Sequence, residues 1–134
     1  MYIQWDEKFS VNIKTIDAQH QRLFELVNNL HKGMKEGNKR DALQATLDGL
    51  ITYTITHFGG EEQLMLKHGY PDYEPHHKEH DDLLRQVREF KVNFDAGKSM
   101  LTVEVMGFLV NWLTHHIAGT DKKYSAFLNS KGVV

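Results

Sequence analysis

Apolar positions recur at steps of three and four through most of the chain. Between Ala18 and about Lys35 they are Leu23, Phe24, Leu26, Val27, Leu30 and Met34, which form one stripe of a helix. Asp17 stands where an N-cap belongs, and Gly37 where a helix stops. From about Lys39 to Lys67 the stripe is Leu43, Leu47, Leu50, Ile51, Tyr53 (or Thr54), Phe58, Leu64 and Met65. Asn38 opens this second run, and His68-Gly69 closes it with Pro71 beyond. A third runs from about Glu74 to Ala96 through Leu83, Leu84, Val87, Phe90 and Phe94. Pro75 lies in its first turn, where a missing N–H costs nothing. Gly97-Lys98-Ser99 ends that run and is read as capping a fourth, from about Met100 to Leu128 through Val103, Phe108, Leu109, Trp112, Leu113, Ile117 and Phe127. Four such helices joined by short connections predict an all-α fold, an antiparallel up-down-up-down four-helix bundle.

Residues 1–17 show no helical period, yet carry Trp5, Phe9, Val11, Ile13 and Ile16. So much apolar surface predicts an N-terminal extended arm lying on a bundle of residues 18–134, with Trp5 and Phe9 covering part of it. With 134 residues, 40% hydrophobic and 25% charged, the chain reads as one globular domain. Its net charge of -2, with both signs interspersed, gives no basic footprint for nucleic acid. Nowhere do eighteen apolar residues follow one another, and the start lacks a basic region followed by an apolar run, so no membrane insertion is expected. The expected state is a cytoplasmic monomer. The absence of cysteine excludes disulfides, thiolate zinc sites and iron–sulfur clusters, which leaves nitrogen and oxygen to hold any metal.

Against that ordinary background stand nine histidines. They include His57 four residues before Glu61, His76 four before His80, and His116 five before Asp121, with His20 upstream. Side chains four apart share a helix face at about 5–6 Å between Cβ atoms, close enough to converge on an ion. A single histidine is most often a surface residue. Three segments, each otherwise apolar at helical spacing and each pairing a histidine with another histidine or an acid, point instead to a metal site distributed over several helices. The step from His116 to Asp121 turns about 140° past a full rotation on an ideal helix, so the side chains must reach inward from either side or the turn must widen locally. Gly119 between them would ease a distortion. Gly59 and Gly60, at about 1 kcal/mol each relative to alanine, are read as making room for a neighbouring helix or for the site. His31 shares a face with His20 but lies about 16 Å along the axis, and His68 suits the negative end of its helix.

The order His20, His57-x3-Glu61, His76-x3-His80, His116-x4-Asp121 closely resembles the hemerythrin family in its single-domain bacterial form. Supporting strings are Ile16-Asp17-Ala18-Gln19-His20, His57-Phe58 with Glu61-Glu62, Tyr70-Pro71 ahead of His76, and Trp112-Leu113 before His116-Ile117. The resemblance runs from Trp5 to about Tyr124. His76, not His77, lies four residues before His80 and in the family's register after Tyr70-Pro71. Likewise His116, not His115, is five before Asp121. His77 and His115 are therefore placed on the surface or around the site.

The resemblance implies two irons joined by an oxo or hydroxo bridge. His76, His80 and His116 would hold one, His20 and His57 the other, and Glu61 and Asp121 would bridge them. This count leaves one position open, on the iron with two histidines, where the family binds dioxygen. Reversible binding for carriage, storage or delivery is the implied function, without catalysis, and an oxygen-consuming enzyme is the implied recipient. Leu23, Phe58, Trp112, Leu113 and Ile117 are the expected walls of the oxygen pocket. A di-iron oxidase or ferroxidase is the alternative, but its paired Glu-x-x-His pattern occurs only once, from Glu74 to His77. Oxygen or redox sensing through a partner is another; because the chain ends at Val134, soon after the bundle closes, carriage is expected ahead of it.

Overall fold

The computed structural model describes residues 2–134, and they are helical almost throughout. The elements are a short 3₁₀ turn at Glu7–Phe9, α1 at Lys14–Lys35, α2 at Arg40–His68, α3 at Tyr73–Asp95 and α4 at Val103–His115. A π-helical turn at His116–Asp121 joins α4 to α5, Lys122–Ser130. No strand occurs among the described residues. The fourth helix of the bundle is therefore a continuous rod of three pieces.

Helix boundaries differ from the sequence expectation where side chains found other partners. α1 starts at Lys14, four residues before the expected Ala18, and Ile13 occupies the cap position without a side-chain bond. Asp17 is not the cap. Its carboxylate accepts from Val11 N–H at 2.8 Å and from Ser10 Oγ at 2.5 Å, so it ties the arm to the first turn of the helix. Asn38, expected to open the second helix, closes the first: its N–H donates to Gly33 O at 3.0 Å while Gly37 takes the left-handed conformation at φ 70°. Gly69 repeats the device at the end of α2 with φ 71°, and Tyr70 N–H reaches Met65 O. Lys98 and Ser99 bond back to Asn93 O and so belong to the end of α3. The cap of α4 is Thr102, whose Oγ1 accepts from Val105 N–H at 3.2 Å. The inward stripe there is Met106, Leu109, Leu113 and Ile117, which leaves Val103 and Phe108 outside it and exposed.

The core is divided. One apolar cluster gathers Leu23, Phe24, Val27, Leu30, Leu47, Leu50, Ile51, Met106, Leu113 and Ile117; the other gathers Ile13, Ile16, Met65, Tyr70, Tyr124 and Leu128. On α1, α2 and the fourth rod, the buried polar residues His20, then His57 and Glu61, then Asp121 fall between these clusters in sequence, with Phe58 the buried apolar residue among them. A polar layer is held between two apolar ones.

Trp5 and Phe9 of the arm pack on Phe24, with ring centroids 5.6 and 5.0 Å away. The side chain of Asn28 bonds both backbone groups of Ile3 at 2.8 Å, and Asn129 donates to Asn12 O at 3.1 Å. Asp17→Ala removes two of these ties. It is expected to lower stability by about 1.5–3 kcal/mol, the range for hydrogen bonds to a charged group, in urea unfolding followed by circular dichroism. An unchanged midpoint would mean that the arm contributes nothing through Asp17.

Candidate metal centre

His20 and Ile16 lie one turn apart on α1, so the spacing that buries Ile16 and Leu23 also buries His20. On α2 the four-residue step carries His57 and Glu61 inward together, and on α3 it does the same for His76 and His80. On the fourth rod a five-residue step would part His116 from Asp121 if the helix were regular. The π turn spans those two residues, and both are buried. Of the two routes open on the sequence, the chain takes the widened turn. Gly119 is not needed for steric reasons, since a Cβ there would meet nothing within 4 Å.

The five histidines fall into two groups. His20 and His57 have ring centroids 4.7 Å apart, while His76, His80 and His116 lie 4.7–4.9 Å from one another. Asp121 stands between the groups: Oδ2 is 3.2 Å from His20 Nε2, and Oδ1 is 2.9 Å from His76 Nε2 and 3.0 Å from His116 Nε2. Glu61 also touches both, with Oε1 3.3 Å from His57 Nε2 and 3.5 Å from His80 Nε2, and Oε2 3.6 Å from His20 Nε2. Ligand atoms of Glu61, His76, His80, His116 and Asp121 come within 4.8 Å of one another, as do those of His20, His57 and Glu61. The two sets share Glu61.

Outer partners fix which nitrogen faces inward. His57 Nδ1 bonds Gln19 Oε1 at 2.5 Å, His80 Nδ1 bonds Glu62 Oε2 at 2.9 Å, and His116 Nδ1 bonds Glu79 Oε1 at 3.0 Å. A ring whose Nδ1–H is held this way presents the Nε2 lone pair to a cation. Thr120 Oγ1 donates to Glu79, and Tyr124 OH to Glu61 Oε2. None of Gln19, Glu62, Glu79, Thr120 or Tyr124 was assigned a role from sequence. The available signal was adjacency: each lies within three residues of a clustered residue, but only the fold shows that Glu79 serves His116 on another helix.

Other expected positions also have definite places. His77 is partly exposed and bonds Glu62, and His115 is exposed with its Nδ1 on Asn111 O at 2.7 Å. His31 stacks on Tyr2, and His68 lies in the last turn of α2. Gly59 and Gly60 do not make room for anything. Both are exposed and an added Cβ at either would meet no atom within 4 Å, because they lie on the solvent side of α2. Leu23, Phe58, Trp112 and Leu113 line an apolar cavity of about 40 Å³, whereas Ile117 is core beside it. The cavity walls touch the site: Phe58 stacks on His80 at 3.7 Å and Trp112 on His116 at 4.3 Å.

Residues 11–128 match the hemerythrin HHE cation binding domain. The chain is 36% identical over 123 residues to a bacteriohemerythrin of Methylococcus capsulatus, covering 92% of this chain and 93% of that one. It is 32% identical to a myohemerythrin of Theromyzon tessulatum, with 93% and 92% covered. A crystal structure of wild-type hemerythrin superposes with a TM-score of 0.90 at 35% identity, covering 94% of this chain and 97% of that one. The chain belongs to the hemerythrin family. The cation in the domain's description fits the donors present. Among the described residues, both nitrogens of His20 and of His76, Glu61 Oε1 and both oxygens of Asp121 are buried without a well-formed hydrogen bond; apart from the two Nδ1 atoms they face other members of the cluster at 2.9–3.6 Å. Each such atom costs about 1–3 kcal/mol unless something satisfies it. A metal centre of imidazole nitrogens and carboxylate oxygens, with iron the metal the family implies, meets that need.

Without metal, protons take up part of the charge. Burial works against a charged His20, but Asp121 and Glu61 outweigh it and raise its pKa to about 9. Burial and the charge of Glu61 push Asp121 upward; His116 and His20 overcome both and hold it well below the usual carboxylate range. His20 therefore stabilises the metal-free hemerythrin fold fully below its ordinary 6.5, and that contribution is lost as pH rises through about 9. A metal held by His20 would have to displace the same proton. Affinity of metal-free protein for Zn²⁺ is expected to climb from about pH 7 to about pH 9 and then level off, with proton release visible to an indicator dye. A flat profile over that interval would show that His20 carries no proton there.

Proposed function

We propose that His76, His80 and His116 hold one iron, His20 and His57 a second, and that Glu61 and Asp121 bridge the pair, so that the chain binds dioxygen reversibly rather than transforming it. The observation that carries this is the position of Asp121, one oxygen toward each histidine group, in a layer sealed by apolar residues. When bound, such a pair of irons supplies the two electrons on which reversible dioxygen binding depends.

The chain's own residues set the conditions. Nitrogen donors outnumber carboxylates in the cluster, which leaves less negative charge to support high oxidation states than the carboxylate-rich sites of di-iron oxidases. The cavity has walls of Leu23, one turn after His20, Phe58, next to His57, and Trp112 and Leu113, with no acidic group in its lining, so it favours a small apolar molecule over water and protons. Carriage, storage or delivery of oxygen, to an oxygen-consuming enzyme, follows from binding without turnover.

Three measurements test this. Purified protein is expected to hold about two irons per chain, and saturation at one metal would overturn the dinuclear reading. His76→Ala and His116→Ala are expected to lose iron, while His77→Ala and His115→Ala keep it; the reverse pattern on α3 would shift the register by one. Leu113→Ala is expected to speed autoxidation far more than Leu30→Ala, which removes a fully buried side chain away from the cavity. Both truncations cost about 2–5 kcal/mol, so equal autoxidation rates in folded, iron-loaded variants would reduce Leu113 to ordinary core.

A further inference from the structure

Among the described residues, Glu62 is the one outer carboxylate that holds two imidazoles. Its Oε2 accepts from Nδ1–H of fully buried His80 at 2.9 Å, and its Oε1 accepts from Nδ1–H of His77. Tyr73 OH lies 3.4 Å from the same Oε1, and the Tyr73 ring stacks on His77 at 5.5 Å. His77 is 37% exposed, and its Nε2 is 3.0 Å from Asp81 Oδ2. A line of polar contacts thus runs from the surface at Asp81 through His77 and Glu62 to His80. The other outer partners differ: Gln19, on His57, is a neutral amide, and Glu79, on His116, receives only a hydroxyl from Thr120.

A carboxylate that already accepts from a strong donor pulls less on a second N–H. An imidazole whose Nδ1 proton is pulled less keeps more neutral character and pushes less electron density out through Nε2. Phe58, stacked on His80 at 3.7 Å and 3°, leaves that ring little freedom to evade the effect by turning. We infer that His77 is a positioning residue for the metal centre: by donating to Glu62 Oε1 it fixes that carboxylate on His80 and weakens its pull on the His80 proton, which raises the reduction potential of the iron at His80 Nε2 and favours the ferrous state. This rests on the reading of His80 as a ligand given above.

His77→Phe keeps a ring against Tyr73 and removes the donor; His77→Asn supplies an amide N–H in place of Nδ1–H. In zinc-loaded protein, ¹⁵N–¹H spectra of the imidazoles are expected to show the His80 Nδ1 proton moving downfield in His77→Phe and returning in His77→Asn. In iron-loaded protein the midpoint potential is expected to fall in the phenylalanine variant, with autoxidation a few-fold faster, and to recover in the asparagine variant. His115→Phe, on the exposed face of α4, is expected to change neither. If His77→Phe takes up metal normally yet leaves both the resonance and the potential where they were, or if asparagine fails to restore them, the role assigned to His77 is wrong. If the unaltered protein takes up neither zinc nor iron, the metal centre itself is overturned and this inference with it.

Discussion

Seven polar side chains are sealed in the middle of a small bundle, and the rest of the structure is arranged around the cost of keeping them there. His20, His57, Glu61, His76, His80, His116 and Asp121 are each at most 3% exposed. Buried imidazole and carboxylate atoms without a well-formed hydrogen bond are unfavourable by about 1–3 kcal/mol each, and the cluster holds several. Apolar clusters on either side offset that cost, and a bound cation removes its cause. Fold stability and metal binding are therefore coupled, as in any site whose ligands exist together only in the native state.

Positions within the polar layer are over-determined. His57, His80 and His116 are each held at Nδ1 by an outer side chain, and His80 and His116 are stacked on Phe58 and Trp112. Glu61 is held by Tyr124, which is itself fully buried in the second apolar cluster. The π turn does for the backbone what these contacts do for the side chains. It brings His116 and Asp121 inward together, at the cost of an irregular hydrogen-bond pattern that a helix tolerates where function requires it.

The same arrangement separates the polar surround from the apolar approach. Carboxylates and the amide of Gln19 lie behind the histidines, and Leu23 and Leu113 lie in front, lining a cavity that no titratable group enters. Opposite demands are thereby met within one turn of helix. The clustered histidines gain hydrogen bonds that fix their tautomer, and the neighbouring cavity keeps an apolar lining.

Helix number, order and approximate ends were legible in the sequence because a period of 3.6 in apolar residues is a local property, and so is the left-handed glycine at Gly37 and Gly69. The candidate site was legible for a related reason: four-residue steps such as His57 to Glu61 and His76 to His80 fix a common face before any tertiary contact forms. The caps were misread where a polar side chain had two possible partners. Asp17 could cap α1 or bind the arm, and only the packed arm decided for Val11 and Ser10. The glycines at 59 and 60 were misread for want of a neighbour to test them against. Which way the His116–Asp121 step would be resolved, which carboxylate stands behind which histidine, and how Glu62 joins His77 to His80 were settled by the tertiary structure alone. Those contacts join residues on different helices, or a backbone distortion to the site it serves, and no spacing along a single helix encodes them.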